Sequence, residues 1–378
     1  MKYFKSILII SVLCFVSLSA FNVVHLKNGF EQIVNPKDST KIDSLQYLID
    51  DYCYAKSLKY KIEKVINNLE SKIKSNVTEM KLWKDMLDSY REKSDTLFDL
   101  IELRIDKIKK ENSKNAKQIE NLTIETAKYK TTLEGKQKKL KAFALKLKGA
   151  IVFNFCEIKY NAYIADLDSE AIKMHLFKKG KENFSNLGAV KKFLIDKKIE
   201  PRMITNGGMF TTTNEPEGLY FEEGSLTSYE LDTNTRKTFG NFFLYPNGVF
   251  YVDTNNVAYV KTTSDFAKLK QEGRLKLKLA TQSGPMLVVN GKIHHEFKFG
   301  SLNEKTRSGV GIISGKKVIF AITLTESNLY EFASFFKDIF GCQNALFLDG
   351  TISQMYLKNI NKNLGGDFGP MISVSKKQ

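Results

Sequence analysis

Cysteine, histidine and proline are scarce in this chain of 378 residues, which contains four, four and six of them. Removal of an export signal would leave Cys53, Cys156 and Cys342, and three widely spaced cysteines are not a disulfide framework. One bridge can form, but the sequence leaves its partners open. No His and Cys residues stand at zinc-ligand spacing. Cys342 lies among apolar residues, so we expect it to be a small core residue.

Arginine-rich arms and nucleic-acid-binding motifs are also absent, although the formal net charge is +16. Such a charge is found in proteins that bind nucleic acids or membranes. This sequence has neither zinc-finger spacing nor an aromatic and basic RNA-binding motif. We therefore expect no nucleic-acid partner and interpret the lysine excess as a solvated helical surface.

The apolar run near the beginning of the chain is too short for an ordinary transmembrane helix, which needs about 20 residues. It extends from Ser6 to Phe21 and follows Lys2 and Lys5. A positive start, an apolar stretch and small residues such as Ala20 are typical of an export signal. We expect residues 1–20 to be a signal peptide, with an uncleaved membrane anchor as the alternative, and the protein to be periplasmic or associated with the cell envelope.

Residues 41–148 contain no proline and a single glycine, Gly135, a composition that favours long helices. Apolar residues recur there at steps of three and four, as in Ile101, Ile105 and Ile108, with polar Asn112 and Asn115 at seam positions. The spacing predicts a helical coiled-coil arm. A hairpin within one chain and a coiled coil between chains both fit, so the arm could form a homo-oligomer or fold back on the following domain.

Residues 150–378 have the alternating apolar pattern and glycine-rich turns of a mixed α/β domain. The pairs Asn247-Gly248, Asn290-Gly291 and Ser314-Gly315 each predict a hairpin turn. One strong helix is expected to begin after Ser327 as its N-cap and to end at Gly341. We predict the α+β class: a domain of mixed β-sheets preceded by an all-α arm.

Three polar loops could carry chemistry in this domain. The pair Gly207-Gly208 follows Asn206 at the end of a predicted strand, and paired glycines allow backbone N–H groups to form an anion-binding nest. Asp349-Gly350 stands at the end of a very apolar strand, where substrates or metals are often bound. The polar residues Thr281, Gln282 and Ser283 precede another strand. Each motif alone is more often an ordinary turn.

Arg307 is the candidate cation of the domain, at the start of a glycine-broken strand. A guanidinium there suits bidentate phosphate binding, whereas a surface arginine is the common alternative.

The order and context of these loops are more specific than any one of them. In chain order the motifs are Asn206-Gly207-Gly208-Met209-Phe210, Gly218-Leu219-Tyr220, Gly240-Asn241-Phe242-Phe243, Pro246-Asn247-Gly248-Val249-Phe250, Thr281-Gln282-Ser283-Gly284-Pro285, Arg307-Ser308-Gly309-Val310-Gly311 and Leu348-Asp349-Gly350-Thr351-Ile352-Ser353. From about Tyr160 to Ser375 the chain resembles the phosphodiester glycosidase family, in particular its bacterial branch. That family includes the lysosomal uncovering enzyme, which removes N-acetylglucosamine from a sugar-1-phosphodiester. The resemblance implies an α+β domain with the Asn-Gly-Gly and Asp-Gly loops lining one site.

One motif departs from the family pattern. Uncovering enzymes usually read Leu-Asp-Gly-Gly-Gly-Ser where this chain has Thr351 and Ile352 in place of two glycines. These β-branched residues make the loop narrower and stiffer. We interpret the change as a difference in substrate.

The resemblance implies a hydrolase acting on glycan phosphodiesters of the envelope or the extracellular space. We expect Asp349 to activate water or attack the sugar, with Glu217 or Glu326 as a second carboxylate. Arg307 and the N–H groups of Gly207 and Gly208 would stabilise the phosphate. The remaining expected substrate-binding residues are Asn206, Thr281, Gln282, Ser283, Gly350 and Ser353.

No cofactor is required by these residues, and Ca²⁺ or Mg²⁺ bound by carboxylates remains an alternative. Cleavage at carbon and at phosphorus are both open. The rival hypothesis from another class is a non-catalytic, glycan-binding envelope scaffold that assembles through its arm.

Overall fold

The computed structural model describes residues 39–90, 95–177, 182–224, 228–234, 240–360 and 364–378. The predicted signal peptide or anchor, residues 1–20, lies outside the described residues. No helix in these ranges is both long and apolar enough to cross a membrane. Residues Asp43–Gln378 form one compact unit, which includes every described strand and all of the described helices except the first four residues of the first one.

Two long helices precede a region of sheets, which confirms the α+β class with a helical arm before the sheet domain. The helices are α1 (Ser39–Tyr90), α2 (Asp95–Ala144), α3 (Leu187–Asp196), α4 (Thr263–Gln271) and α5 (Leu329–Ser334), the last continued by a π-helical turn at Phe335–Ile339. The strands are β1 (Gly149–Phe155), β2 (Ile158–Asp166), β3 (Glu170–His175), β4 (Pro201–Asn206), β5 (Tyr220–Glu222), β6 (Gly248–Asp253), β7 (Ala258–Thr262), β8 (Leu277–Ser283), β9 (Met286–Val289), β10 (Lys292–Ile293), β11 (Ser308–Ser314), β12 (Lys317–Thr323), β13 (Ala345–Asp349), β14 (Met355–Leu357) and β15 (Met371–Lys376).

These strands form three sheets. The largest has the order β1-β2-β12-β11-β13-β9-β10, and the two smaller ones have the orders β14-β4-β15-β3 and β5-β8-β6-β7. Neighbouring strands are antiparallel in every pair that the structure describes. The mixture of parallel and antiparallel pairs that we expected of mixed sheets is therefore not observed in the described residues.

The large sheet is the central layer because both of its faces are apolar. Along β12, Phe320 and Ile322 point into a core shared with the two smaller sheets. Ile319 and Ala321 point to the other side, where the helical layer lies. This alternation is the two-residue period of a strand, and it explains why β12 is almost continuously hydrophobic.

The helices α1 and α2 form an antiparallel hairpin within one chain. Asn76 Nδ2 donates to Asn112 Oδ1 at 2.8 Å, and Arg104 Nε donates to Glu79 Oε1 at 2.9 Å. Later residues of α1 thus face earlier residues of α2. Asn115 is buried in the same seam. Of the two alternatives, the intrachain hairpin is the one observed, whereas a homo-oligomer through the arm stays a prediction.

The open end of the hairpin packs on the central sheet. Leu45, Ile49 and Leu140 are fully buried in the same core as Phe153 of β1. The buried carboxylate of Asp338, in the π-helical turn, accepts hydrogen bonds from both helices. The arm is therefore folded against the domain at this end.

A disulfide joins the arm to the sheet domain. Cys53 of α1 is bonded to Cys156 in the tight turn between β1 and β2, 103 residues later in the chain. Cys342 is buried and unpaired, which confirms its assignment to the core.

The turn predictions had mixed outcomes. Hairpins at Asn290-Gly291 and Ser314-Gly315 are confirmed, since they join β9 to β10 and β11 to β12. The hairpin at Asn247-Gly248 is wrong, because β6 pairs with β7 and β8 instead. Asn247 Nδ2 donates to the carbonyl of Phe242 at 2.8 Å and thereby anchors the preceding loop. The N-cap of α5 is Asn328, which accepts from Glu331 N, and not Ser327.

Replacing both Cys53 and Cys156 by alanine should lower the free energy of unfolding by up to about 4–5 kcal/mol, because the bridge restrains a long loop of the unfolded chain. Urea unfolding measures this loss. A reducing agent should lower the unfolding midpoint of the unaltered protein but not that of the double variant. Equal midpoints for the two oxidised proteins would contradict the expectation.

Candidate active site

The candidate site lies where the ends of strands from all three sheets meet. β4 ends at Asn206, β8 ends at Ser283 and β13 ends at Asp349, and each strand belongs to a different sheet. Ser283 Oγ donates to the carbonyl of Leu348 at 3.0 Å, which joins β8 to β13. Asn206 Nδ2 donates to Ser308 Oγ at 2.9 Å, which joins β4 to β11. Three loops that are far apart in sequence are thus brought together.

Ser308 is the centre of a buried polar network. Besides the bond from Asn206, its hydroxyl accepts from Ser353 Oγ at 2.9 Å and donates to the carbonyl of Asp349 at 3.4 Å. Asn206 Oδ1 in turn accepts from the backbone N–H of Gln354 at 3.2 Å. Ser308 was not among the predicted site residues, although its place directly after Arg307 was a usable signal. The network holds the Asp-Gly loop against the end of β4.

Asp349 carries the most informative titratable group of the site. Burial raises the pKa of its carboxyl group from 3.8 to about 6, and the N–H of Gly350, 2.6 Å from Oδ1, opposes that shift. A carboxyl group with this pKa is mainly ionised at neutral pH and is still basic enough to accept a proton. Perturbed carboxylates of this kind are concentrated at functional sites.

Arg307 is buried, with 4% of its surface exposed, at the start of β11. Its Nε donates to the carbonyl of Ser327 at 2.6 Å and its Nη2 donates to that of Asn303 at 2.8 Å. The guanidinium also lies 5.8 Å from the centre of the Phe347 ring. Burial lowers the pKa of Arg307 to about 10, so it remains a cation at neutral pH.

Arg307 and Asp349 lie at the same end of two neighbouring strands. Ser308, the residue after Arg307, is the partner of Asp349 in the ladder between β11 and β13. The ladder is irregular at the next step, where Gly309 pairs with Phe347, so the alternation of side chains does not place the Phe347 ring and the Asp349 side chain on one face of the sheet. A cation and an ionisable carboxyl group are thus held at the same end of β11 and β13, and the Phe347 ring underlies the cation.

The two glycines of the Asn-Gly-Gly loop allow close backbone approach. A Cβ atom on Gly208 would lie 2.2 Å from the carbonyl oxygen of Gln282, and one on Gly207 would lie 2.9 Å from that of Pro370. The N–H of Gly207 already donates to Pro370 O at 2.7 Å. Its predicted role as a phosphate donor therefore does not fit its geometry, because that donor is occupied.

The polar residues of β8 support the loops around the site. Gln282 Oε1 accepts from the N–H groups of Leu219 and Asp232, and its Nε2 donates to Asp232 O at 2.7 Å. Through these bonds Gln282 joins the segment around Leu219 to the segment around Asp232. Thr281 Oγ1 faces Gly208, at 2.5 Å from the position that a Cβ atom would take there.

Glu217 is brought to the Asn-Gly-Gly loop through the backbone. Its N–H donates to the carbonyl of Met209 at 2.9 Å, and its Oε2 accepts from Asn241 Nδ2 at 2.7 Å. Within the described ranges no three His, Cys, Asp or Glu side chains are grouped so that they could hold a metal ion.

The comparisons with known proteins address the same part of the chain. Residues 200–372 match the family model described as phosphodiester glycosidase. The chain is also 34% identical over 223 residues to the uncharacterized protein YigE of Escherichia coli (strain K12), and the aligned part covers 57% of this chain and 82% of that protein. The chain belongs to the phosphodiester glycosidase family. No solved structure matches it.

The phosphodiester glycosidase match includes every candidate site residue, from Asn206 to Ser353. The helical arm and β1–β3 lie outside the matched residues. Two of these strands nevertheless belong to sheets that build the site, since β2 is an interior strand of the central sheet and β3 is an edge strand of the sheet that contains β4. The recognition made from the motifs is thereby confirmed, whereas the roles of individual residues remain predictions.

Asp349→Asn should stabilise the protein at pH 8 and have little effect at pH 4. The folded pKa of about 6 lies above the unfolded value of 3.8, so the carboxyl group favours folding at low pH and this contribution is lost as the pH rises through 6. The shift corresponds to about 2–3 kcal/mol.

Urea unfolding of both proteins at the two pH values tests this expectation. Asp168→Asn is a matched control, because Asp168 is an exposed carboxylate in the turn after β2. An effect of Asp349→Asn that does not change with pH would show that the carboxyl group is not desolvated in the folded state.

Proposed function

We propose that this protein is an exported hydrolase that cleaves sugar-1-phosphodiester bonds in glycans of the cell envelope or the extracellular space. The observation that carries the proposal is that a largely buried carboxyl group of raised pKa, Asp349, and a buried cation, Arg307, lie at the same end of the neighbouring strands β13 and β11. The family assignment supports the reaction class.

The proposed reaction breaks the bond between the anomeric carbon and the phosphate oxygen. A phosphate monoester leaves as a weak base, so it needs positive charge more than it needs a general acid. Arg307 supplies that charge. Asp349 either removes a proton from the attacking water, whose oxygen then bonds to the anomeric carbon, or attacks that carbon itself before water releases the sugar.

The remaining residues of the site would position the substrate. The Asn206, Ser308 and Ser353 side chains already satisfy one another, which keeps their polar groups oriented before a ligand arrives. Glu217 is the proposed second carboxylate. Thr351 and Ile352 stiffen the Asp-Gly loop on the sugar side, and Ile352 is half exposed there.

An oxidising compartment fits the disulfide between Cys53 and Cys156, since such bonds persist mainly in exported proteins. This supports the proposal of a periplasmic or envelope location, to which the apolar segment Ser6–Phe21 would direct the chain.

The test is hydrolysis of a panel of sugar-1-phosphodiesters by the full chain, with EDTA and then with added Ca²⁺ or Mg²⁺. Asp349→Asn should lose activity by about 10²–10⁴-fold, the usual contribution of a positioned acid or base. The activity of the unaltered protein should rise with pH through about 6 and then level off. Asp168→Asn should retain full activity.

Reaction in ¹⁸O-labelled water identifies the bond that breaks, because the label enters the sugar on cleavage at carbon and the phosphate on cleavage at phosphorus. A folded protein that turns over no member of the panel but binds the glycan phosphates would overturn the hydrolase proposal in favour of a non-catalytic scaffold.

A further inference from the structure

The position of Arg307 depends on two segments of backbone. Its guanidinium donates to Asn303 O and Ser327 O. The two segments are also paired with each other, because Lys305 N donates to Ser327 O at 3.1 Å and Ser327 N donates to Lys305 O at 3.0 Å. Together they form a clamp, residues 299–305 and 327–330, that encloses the cation.

The helical arm contacts both segments of this clamp. The ring of Tyr60 on α1 lies 4.1 Å from that of Phe299, centre to centre. Phe299 in turn meets the ring of Tyr330 edge-on at 5.6 Å. Lys56, one turn before Tyr60, has its ammonium group 5.7 Å from the centre of the Tyr330 ring. Each half of the clamp is thus backed by an aromatic ring against α1.

The same stretch of α1 is held firmly to the domain. Lys56 Nζ forms an ion pair with the buried carboxylate of Asp338 at 2.9 Å. Cys53, less than one turn earlier, is in the disulfide with Cys156. Tyr60 therefore projects from a part of the helix that is fixed relative to the sheets, and its ring can act as a rigid support.

We propose that Tyr60 of the arm is a positioning residue for Arg307, acting through Phe299 and the clamp. The arm is then a component of the site and not merely a means of assembly. The consequence for catalysis rests on the proposed function, whereas the structural consequence, the immobilisation of the guanidinium, does not.

The structural consequence can be measured on Arg307 itself. In protein labelled with ¹⁵N-arginine, the Nε–H signal of Arg307 is one of six and is identified by its loss in Arg307→Lys. Burial and the bond to Ser327 O should protect this proton from exchange with solvent. Tyr60→Ala should speed its exchange by about tenfold or more, since the clamp opens locally more often.

Matched variants separate positioning from general destabilisation. Tyr60→Phe keeps the ring and should keep the protection. Tyr47→Ala removes a tyrosine that is 73% exposed on the same helix and should change nothing. Phe299→Leu removes the intervening ring and should reproduce the effect of Tyr60→Ala. Unchanged exchange in a folded Tyr60→Ala protein, or an equal change in Tyr47→Ala, would overturn the proposal.

A kinetic measurement adds the consequence for the site. Inhibition of turnover by inorganic phosphate should weaken about three- to tenfold in Tyr60→Ala and remain normal in Tyr60→Phe, because a displaced guanidinium binds phosphate less well. If the unaltered protein shows no turnover, the proposed function fails while the exchange measurement still decides whether Tyr60 positions Arg307.

Discussion

The hydrogen bond from Asn206 to Ser308 connects the end of β4, in one of the smaller sheets, to the start of β11, in the central sheet, and the site is built around it. Both side chains are fully or almost fully buried, so each needs a partner to offset the loss of water. The bond supplies this for both, and Ser353 adds a further partner. Together with the bond from the Gln354 N–H to Asn206 Oδ1, this contact joins the Asn-Gly-Gly loop to the start of β11 and to the Asp-Gly loop.

Around this contact the protein buries two groups that prefer water. The Asp349 carboxyl group is desolvated, and its raised pKa measures that cost. Arg307 is desolvated too, but two carbonyl oxygens and an aromatic ring partly replace its hydration. The apolar contacts of the central sheet on both faces offset these unfavourable terms. Sites that bind or transform ligands commonly show such locally unfavourable arrangements.

The helical arm is attached to the sheet domain at its base, whereas a separate stalk would not share a core with that domain. Its base shares an apolar core with the central sheet, and a disulfide, an ion pair and a contact between aromatic rings fix its position. These contacts end within the first half of α1, and the rest of the hairpin is held by contacts between its own helices. One element can therefore support the site at its base and remain accessible for assembly farther out.

Local chemistry determined much of this protein. The turn at Asn290-Gly291 follows from residues that tolerate positive φ, and the helices of the arm follow from apolar spacing without proline. The carboxylate at the end of β13 was also predictable, because an apolar strand leading into Asp-Gly is a local pattern. Family resemblance then joined these loops into one site.

Only the tertiary structure decided the contacts between distant segments. It paired Cys53 with Cys156, assigned the Gly207 N–H to Pro370 and joined Gln282 to the segments around Leu219 and Asp232. The neighbours of such residues in sequence carry no record of these partners. Partners of this kind are chosen by how three sheets and a helical hairpin pack together, which no local pattern specifies.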